Sequence, residues 1–432
     1  MGHEGPLTRT NDFSIRSIQI GSRRRDVTNT ARHVIFYCCC ALALAAKLYC
    51  ASTTYGTNDT GLFLLYGQAV AEAGLEQTYA AAQHFNHTPL LASILAGLYW
   101  LAQESTLSYP LLLRLPGIFA DLITCVMLWR LVHTYLPGRV STGWCCLFAL
   151  SPLSFMVSGY HGNFDSVMAM FLFLAAYHCI SSRVELSALF LALAIHVKVA
   201  PLILTPVFFF FWLARQQGLR FFWLTTMLVL AVWLVPLLQY PGLFLHNVLG
   251  YSSYWGTWGI TYWLRETGYA PFHLVSFYGL EPIQRQIMLA LKISVGITIL
   301  FLAWRRGGGR RADIFTTLSA AWAIFFVFAP GILLHYLVWP SCFFLLCSRG
   351  LYLVLLLTGS IFVGWCYTVI NGRIPWDRGL FRVEVLEMWL PWSNLAWVGF
   401  ALTLAAMVFG MRRSEPTFKF LSFSQPRVAD EA

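Results

Sequence analysis

Between residues 32 and 411 the chain is a succession of apolar runs, each about 17–25 residues long, separated by short polar segments. A run of that length crosses a hydrocarbon core about 30 Å thick. A helix satisfies its own backbone in lipid, and runs such as residues 202–213 lack the alternation of a barrel strand. The pattern predicts an all-α, polytopic transmembrane helical bundle of about 12 spans. They fall near 33–53, 115–134, 140–158, 166–182, 184–197, 199–214, 221–238, 286–304, 312–329, 336–348, 351–370 and 389–411. Residues 1–31 read as a polar basic cytoplasmic tail, 32–411 as the membrane domain and 412–432 as a second cytoplasmic tail. No cleavable leader is expected, since the first apolar run is long enough to stay as an anchor.

Charge sets the orientation. The N-terminal tail with Arg32, the loops carrying Arg130, Arg139, Arg183, Arg215 and Arg220, the cluster Arg305, Arg306, Arg310 and Arg311, then Arg349 and the C-terminal tail hold 20 of the 29 Lys and Arg residues. These loops fall on one side, which the positive-inside rule makes the inside. The segment 88–104 is also apolar, but counting it as a span would put the 305–311 cluster outside. It is expected to be re-entrant or to lie on the surface. The first outer loop, 48–113, then contains no Lys or Arg, yet holds Asp59, Glu72, Glu76, His84 and His87. Its Tyr, Phe, Leu and Ala content points to short amphipathic helices on the membrane. Other outer segments are 159–165, the turn at Lys198, 239–285, 330–335 and 371–388.

Composition agrees. The chain is 58% hydrophobic and 11% charged, against roughly 25% charged for a soluble domain. The net charge of +10 reflects scattered loop residues rather than a nucleic-acid surface. The eleven cysteines lie almost wholly in apolar runs, without CxxC spacing, and read as packing residues.

Five segments could carry chemistry. Asp59, in Tyr55-Gly56-Thr57-Asn58-Asp59-Thr60, follows the first span and could act as a general base or cap the next helix. The segment Ser158-Gly159-Tyr160-His161-Gly162-Asn163-Phe164-Asp165-Ser166 offers His161, Asn163 and Asp165 for sugar hydroxyls or phosphate; capping is again the alternative. Lys198, between two apolar runs, could bind a lipid phosphate or snorkel to headgroups. Residues 251–260, with Trp255 and Trp258, could stack on a sugar or form an interfacial belt. Pro330-Gly331 followed by His335-Tyr336 suggests a polar site at a helix start or, equally, a simple interfacial belt pair. His84 and His87 lack the company of a metal motif, so no metal and no cofactor is expected. Asp121 reads as a buried structural carboxylate. Asn58-Asp59-Thr60 and Asn86-His87-Thr88 fit glycosylation sequons.

The ordered set of these motifs resembles the GT-C superfamily of polyprenyl-phosphate-sugar-dependent membrane glycosyltransferases, most closely the bacterial mannosyltransferase-like branch. The resemblance is carried by Asp59 after the first span; Tyr79 with Asn86-His87-Thr88-Pro89-Leu90; and Arg114-Leu115-Pro116-Gly117 with Asp121. It continues through His161-Gly162-Asn163-Phe164-Asp165-Ser166, Lys198 with Pro201, residues 255–260, and Pro330-Gly331 before His335-Tyr336-Leu337-Val338-Trp339. Two departures stand out: there is no Asp-x-Asp at Asp59, and Asn163 replaces the usual Gln. The resemblance implies transfer of a hexose, mannose in the nearest branch, from a polyprenyl-phosphate donor to a lipid-linked or cell-envelope glycan. The site would face outward from the plasma (inner) membrane if the source is bacterial. Asp59 would be the catalytic base with Asp165 as the second catalytic carboxylate, also positioning substrate, and Lys198 and His161 would hold the donor phosphate. Asn163, Trp255, Trp258, His335 and Tyr336 would position substrate. The rival readings are a secondary transporter, for which the chain shows no internal repeat, and a non-catalytic lipid-binding membrane protein.

Overall fold

The computed structural model describes residues 12–413 apart from 83, 251–253, 274–278, 310–312 and 381–382. Arg310, Arg311, Tyr251 and the tails 1–11 and 414–432, named above, therefore lie outside the described residues. The described chain is helical almost throughout, and its only strands are the two-residue pieces β1 (Gly56–Thr57) and β2 (Arg378–Gly379), paired in parallel.

Among the described residues, seven helices are long and apolar enough to cross a membrane: Thr30–Thr53, Tyr109–Thr134, Thr142–His161, Gly218–Gln239, Pro282–Arg306, Arg349–Asn371 and Trp392–Phe409. The other expected spans are occupied by shorter apolar helices, Asp165–Ile180, Val184–Val197, Ala200–Leu213, Asp313–Phe328 and Leu334–Cys347. The polarity of the bundle is that of a protein solvated by lipid. In Pro282–Arg306 only 22% of the apolar window is buried, and Leu289, Ile293, Ile297 and Leu300 form one exposed apolar face at helical spacing. In water such a face would drive association; in hydrocarbon it is the solvated surface. The chain is built as an integral membrane protein.

The loop 54–108 folds into the short helices Asn58–Ala73, Leu75–Ala81 and Pro89–Glu104. The last covers most of the apolar segment 88–104 and packs against the first as a pair. Gly67 makes this approach possible, since a Cβ there would lie 2.6 Å from the Leu95 carbonyl oxygen. The N-terminal basic stretch differs from a simple tail: from Asp12 it is helical and continuous with the first span.

The basic loops meet at one end of the bundle. Arg139 Nε donates to the Leu346 carbonyl at 2.5 Å, Arg220 pairs with Glu185, and Arg215 Nη2 reaches the Gly309 carbonyl at 3.5 Å. The segments expected outside meet at the opposite end. There β1 pairs with β2, Tyr160 donates to the Gly56 carbonyl at 3.4 Å, and Asn371 Nδ2 donates to the Tyr160 hydroxyl at 2.6 Å.

Two buried cations pin that second end. Lys47 Nζ lies 2.6 Å from both Asp121 Oδ2 and Ser154 Oγ, and Ser154 Oγ donates to Asp121 at 2.6 Å. These groups satisfy one another between three spans, which fits the structural role expected for Asp121. Arg114 is fully buried. Its guanidinium donates to the Pro110 carbonyl at 2.8 Å, the Thr54 hydroxyl at 2.8 Å, the Thr54 carbonyl at 2.5 Å and the Gly159 carbonyl at 3.1 Å. The planar fork of arginine serves four acceptors in fixed directions, which the lysine point charge cannot do. It ties the end of the first span to the segment around Gly159.

Two predictions follow from this architecture. In a background lacking the eleven native cysteines, Glu76→Cys is labelled by an impermeant thiol reagent from outside intact cells and Gly308→Cys only after permeabilisation; the opposite pattern inverts the topology. Arg114→Leu leaves buried carbonyls at Thr54 and Gly159 without their donor. It is expected to destabilise the protein by about 3 kcal/mol, read as earlier loss of the folded state in denaturant, with Arg114→Lys recovering only part.

Candidate active site at the bundle end

Asp59 stands in the first turn of the helix Asn58–Ala73, just past the first span. Thr57 is the N-cap residue and no side chain caps this helix. The carboxylate is used elsewhere: its Oδ2 lies 2.9 Å from His161 Nε2. The capping alternative for Asp59 is therefore not what the side chain does.

His161 closes a π-helical turn, Phe155–His161, that ends the preceding span. Such turns break the regular ladder and re-aim side chains. Gly162 follows in the left-handed region at φ +85°, where a Cβ would come within 2.7 Å of Thr60 Oγ1. The two segments are further joined by Thr57 Oγ1, which donates to the His161 carbonyl at 3.0 Å. His161 Nδ1 lies 2.7 Å from the Tyr367 hydroxyl. Both ring nitrogens thus have protein partners.

Asp165 opens the helix Asp165–Ile180, with Asn163 Oδ1 accepting its backbone N–H at 3.1 Å. Asn163, not Asp165, makes the local turn contact. The Asp165 carboxylate receives Lys198 Nζ at 2.9 Å and Trp339 Nε1 at 2.5 Å, and lies 3.7 Å from His335 Nε2. Lys198 sits in extended backbone between Val184–Val197 and the 3₁₀ turn Ala200–Leu204. Its ammonium lies 3.9 Å from the ring centroid of Tyr336, which itself stacks on Trp339. The lysine is held by a carboxylate and an aromatic face, so it does not snorkel to headgroups.

Exposure separates the two acids. The Asp59 side chain is 29% exposed and Asp165 only 3%, while Lys198 is 25% exposed. Asp59 and Lys198 are thus the more exposed of these groups. Burial pushes the Asp59 carboxyl upward, but the charge and hydrogen bond of His161, aided by Lys198, more than offset it and hold Asp59 below the usual carboxylate range. Burial lowers Lys198 against the pull of Asp165. His87, whose ring packs 5.0 Å from that of Phe63, is pushed down to about 3 by desolvation and then by the Lys198 charge. It stands neutral beside the site.

Several buried polar atoms here have no hydrogen-bond partner among the described residues: Thr60 Oγ1, Asn163 Nδ2, Ser166 Oγ and His335 Nδ1. Groups of this kind are costly unless something completes them. Asn163 and His335 thus join this cluster, and Tyr336 lies beneath the Lys198 ammonium.

Trp255 and Trp258 are not. Both are fully buried; Trp255 Nε1 donates to the Phe272 carbonyl at 2.8 Å and Trp258 Nε1 to the Phe326 carbonyl at 2.7 Å. Neither belongs to a belt or offers a face to a sugar, because packing and a backbone acceptor consume each indole. Conversely, Tyr367 orients His161 from inside an apolar run, where nothing in the sequence marks it. Trp339 was visible only as the end of the His335 motif. No protein-family model matches the chain.

Proposed function

We propose that the chain is a membrane glycosyltransferase transferring a hexose from a polyprenyl-phosphate donor to a lipid-linked or cell-envelope acceptor, as the GT-C resemblance implies. The observation that carries this reading is the union of Asp59, His161, Asp165, Lys198 and His335 in one cluster at the end of an apolar bundle. These residues come from four separate breaks between helices. A lipid-borne donor brings its phosphate to that depth without leaving the membrane.

In this reading Lys198 meets the phosphate as a point charge and stabilises the leaving group. Asp165, Trp339 and Tyr336 hold the ammonium in place. Asp165 is itself too enclosed to act as base, so its part is positioning. Asp59, ionised and partly exposed, takes the proton of the attacking hydroxyl as the glycosidic bond forms and the polyprenyl phosphate departs. His161 and Tyr367 fix the carboxylate. The polar triad of Lys47, Asp121 and Ser154 is closed on itself, which gives a transporter reading little to work with.

The direct test is incubation of purified protein with a panel of labelled polyprenyl-phosphate sugars and lipid-linked acceptors; transfer from none of them removes the proposal. Lys198→Met is expected to weaken donor binding by about 1.5–3 kcal/mol, the scale of one charge-assisted contact, and to leave acceptor binding unchanged. Asp59→Asn keeps the shape of the side chain but cannot readily accept a proton. It should spare donor binding while cutting turnover roughly 10²-fold or more. Normal turnover in that variant would take the base role away from Asp59.

A further inference from the structure

We infer that Asp59, His161 and His335 form a binding site for one divalent transition-metal ion. Each offers a ligand atom, and these atoms all lie within 4.8 Å of one another. An ion held at about 2.0–2.2 Å by two imidazole nitrogens and a carboxylate oxygen fits that triangle after small side-chain adjustments. Two further observations point to a ligand. His335 is 6% exposed, yet its Nδ1 has no hydrogen-bond partner among the described residues. An outer partner of the kind a metal site needs is also in place: the Tyr367 hydroxyl lies 2.7 Å from His161 Nδ1, which fixes the orientation of that imidazole for a metal.

The charges agree. With the histidines neutral, as metal ligation requires, Asp59, Asp165 and Lys198 sum to one negative charge. A divalent ion makes the cluster singly positive, which matches a phosphodiester carrying one negative charge. Two imidazoles and one carboxylate favour Zn²⁺ and its transition-metal neighbours over Mg²⁺ or Ca²⁺, which prefer oxygen alone. Three protein ligands also leave a position open, as in catalytic rather than structural sites. This inference rests on the glycosyltransferase reading only for the ion's use: the open position would take a phosphate oxygen or the acceptor hydroxyl, making that hydroxyl easier to deprotonate. Asp59 would then ligate through Oδ2 and keep Oδ1 for the proton.

The experiment is Zn²⁺ binding to the full-length protein in lipid nanodiscs, stripped with chelator, retitrated, and read by elemental analysis after desalting. One ion per chain is expected in the wild type, unaffected by excess Mg²⁺. His335→Gln should lose it, and Tyr367→Phe, which removes one hydroxyl, should bind on the order of 10-fold more weakly. A variant that fails to fold is recognised by its thermal unfolding profile, and Tyr367→Phe then decides. No stoichiometric ion in the wild type overturns the metal site and leaves Asp59 as an unaided base. Equal retention by His335→Gln assigns the ion to the thiols and overturns it as well. Stoichiometric binding without sugar transfer would retain the site and remove the glycosyltransferase reading.

Discussion

The Asp165 carboxylate is the acceptor on which the rest of the site depends. It sits at the start of one helix, takes Lys198 from a break between two others, and takes the Trp339 indole from a fourth. A carboxylate that is 3% exposed, buried beside apolar spans, is tolerated only because these donors reach it. The reverse also holds: without Asp165 the ammonium of Lys198 would lose its direct carboxylate partner. The pair fixes the relative positions of the segments that carry His161, Lys198 and His335, and through them the place where Asp59 can act.

The lipid environment explains why the polar groups gather where they do. Inside a span, backbone groups are satisfied and side chains must be apolar; only where helices end can polar side chains collect without isolated burial. The π-helical turn ending at His161, the extended residue Lys198 and the 3₁₀ turn holding His335 are all such endings. Arg114 and the triad around Lys47 lie just beneath, binding the first spans so that these endings face one another.

Much of this was legible in the chain. Hydropathy marked the helices, and the Lys and Arg distribution sorted their connections into two ends that the contacts keep apart. Polar residues at the breaks, Asp59, His161, Asp165, Lys198 and His335, stood out because apolar context makes each costly. What the sequence did not disclose was pairing. His161 looked free for a phosphate, but Tyr367, a residue hidden in an apolar run, joins Asp59 in occupying its ring. Trp255 and Trp258 looked like a stacking surface because aromatic composition does not tell an interface from a core. Their indole donors both end on backbone carbonyls, which no pattern of residue types foretells.

The division of labour between the two acids follows from the same physics. Asp165 already receives an ammonium and an indole and is 3% exposed, which leaves no open flank from which a hydroxyl could reach it. Asp59 has a single imidazole partner and an open flank. Its partner is also adjustable: imidazole exchanges roles between its two nitrogens, so His161 can donate to Asp59 while accepting from Tyr367, or donate to Tyr367 while its other nitrogen takes a cation. Asp165 with Lys198 is thus the rigid half of the site and Asp59 with His161 the half able to change state. Chemistry that moves a proton and a negative charge needs both: a fixed cation for the charge that develops and a carboxylate whose surroundings can answer the proton it receives.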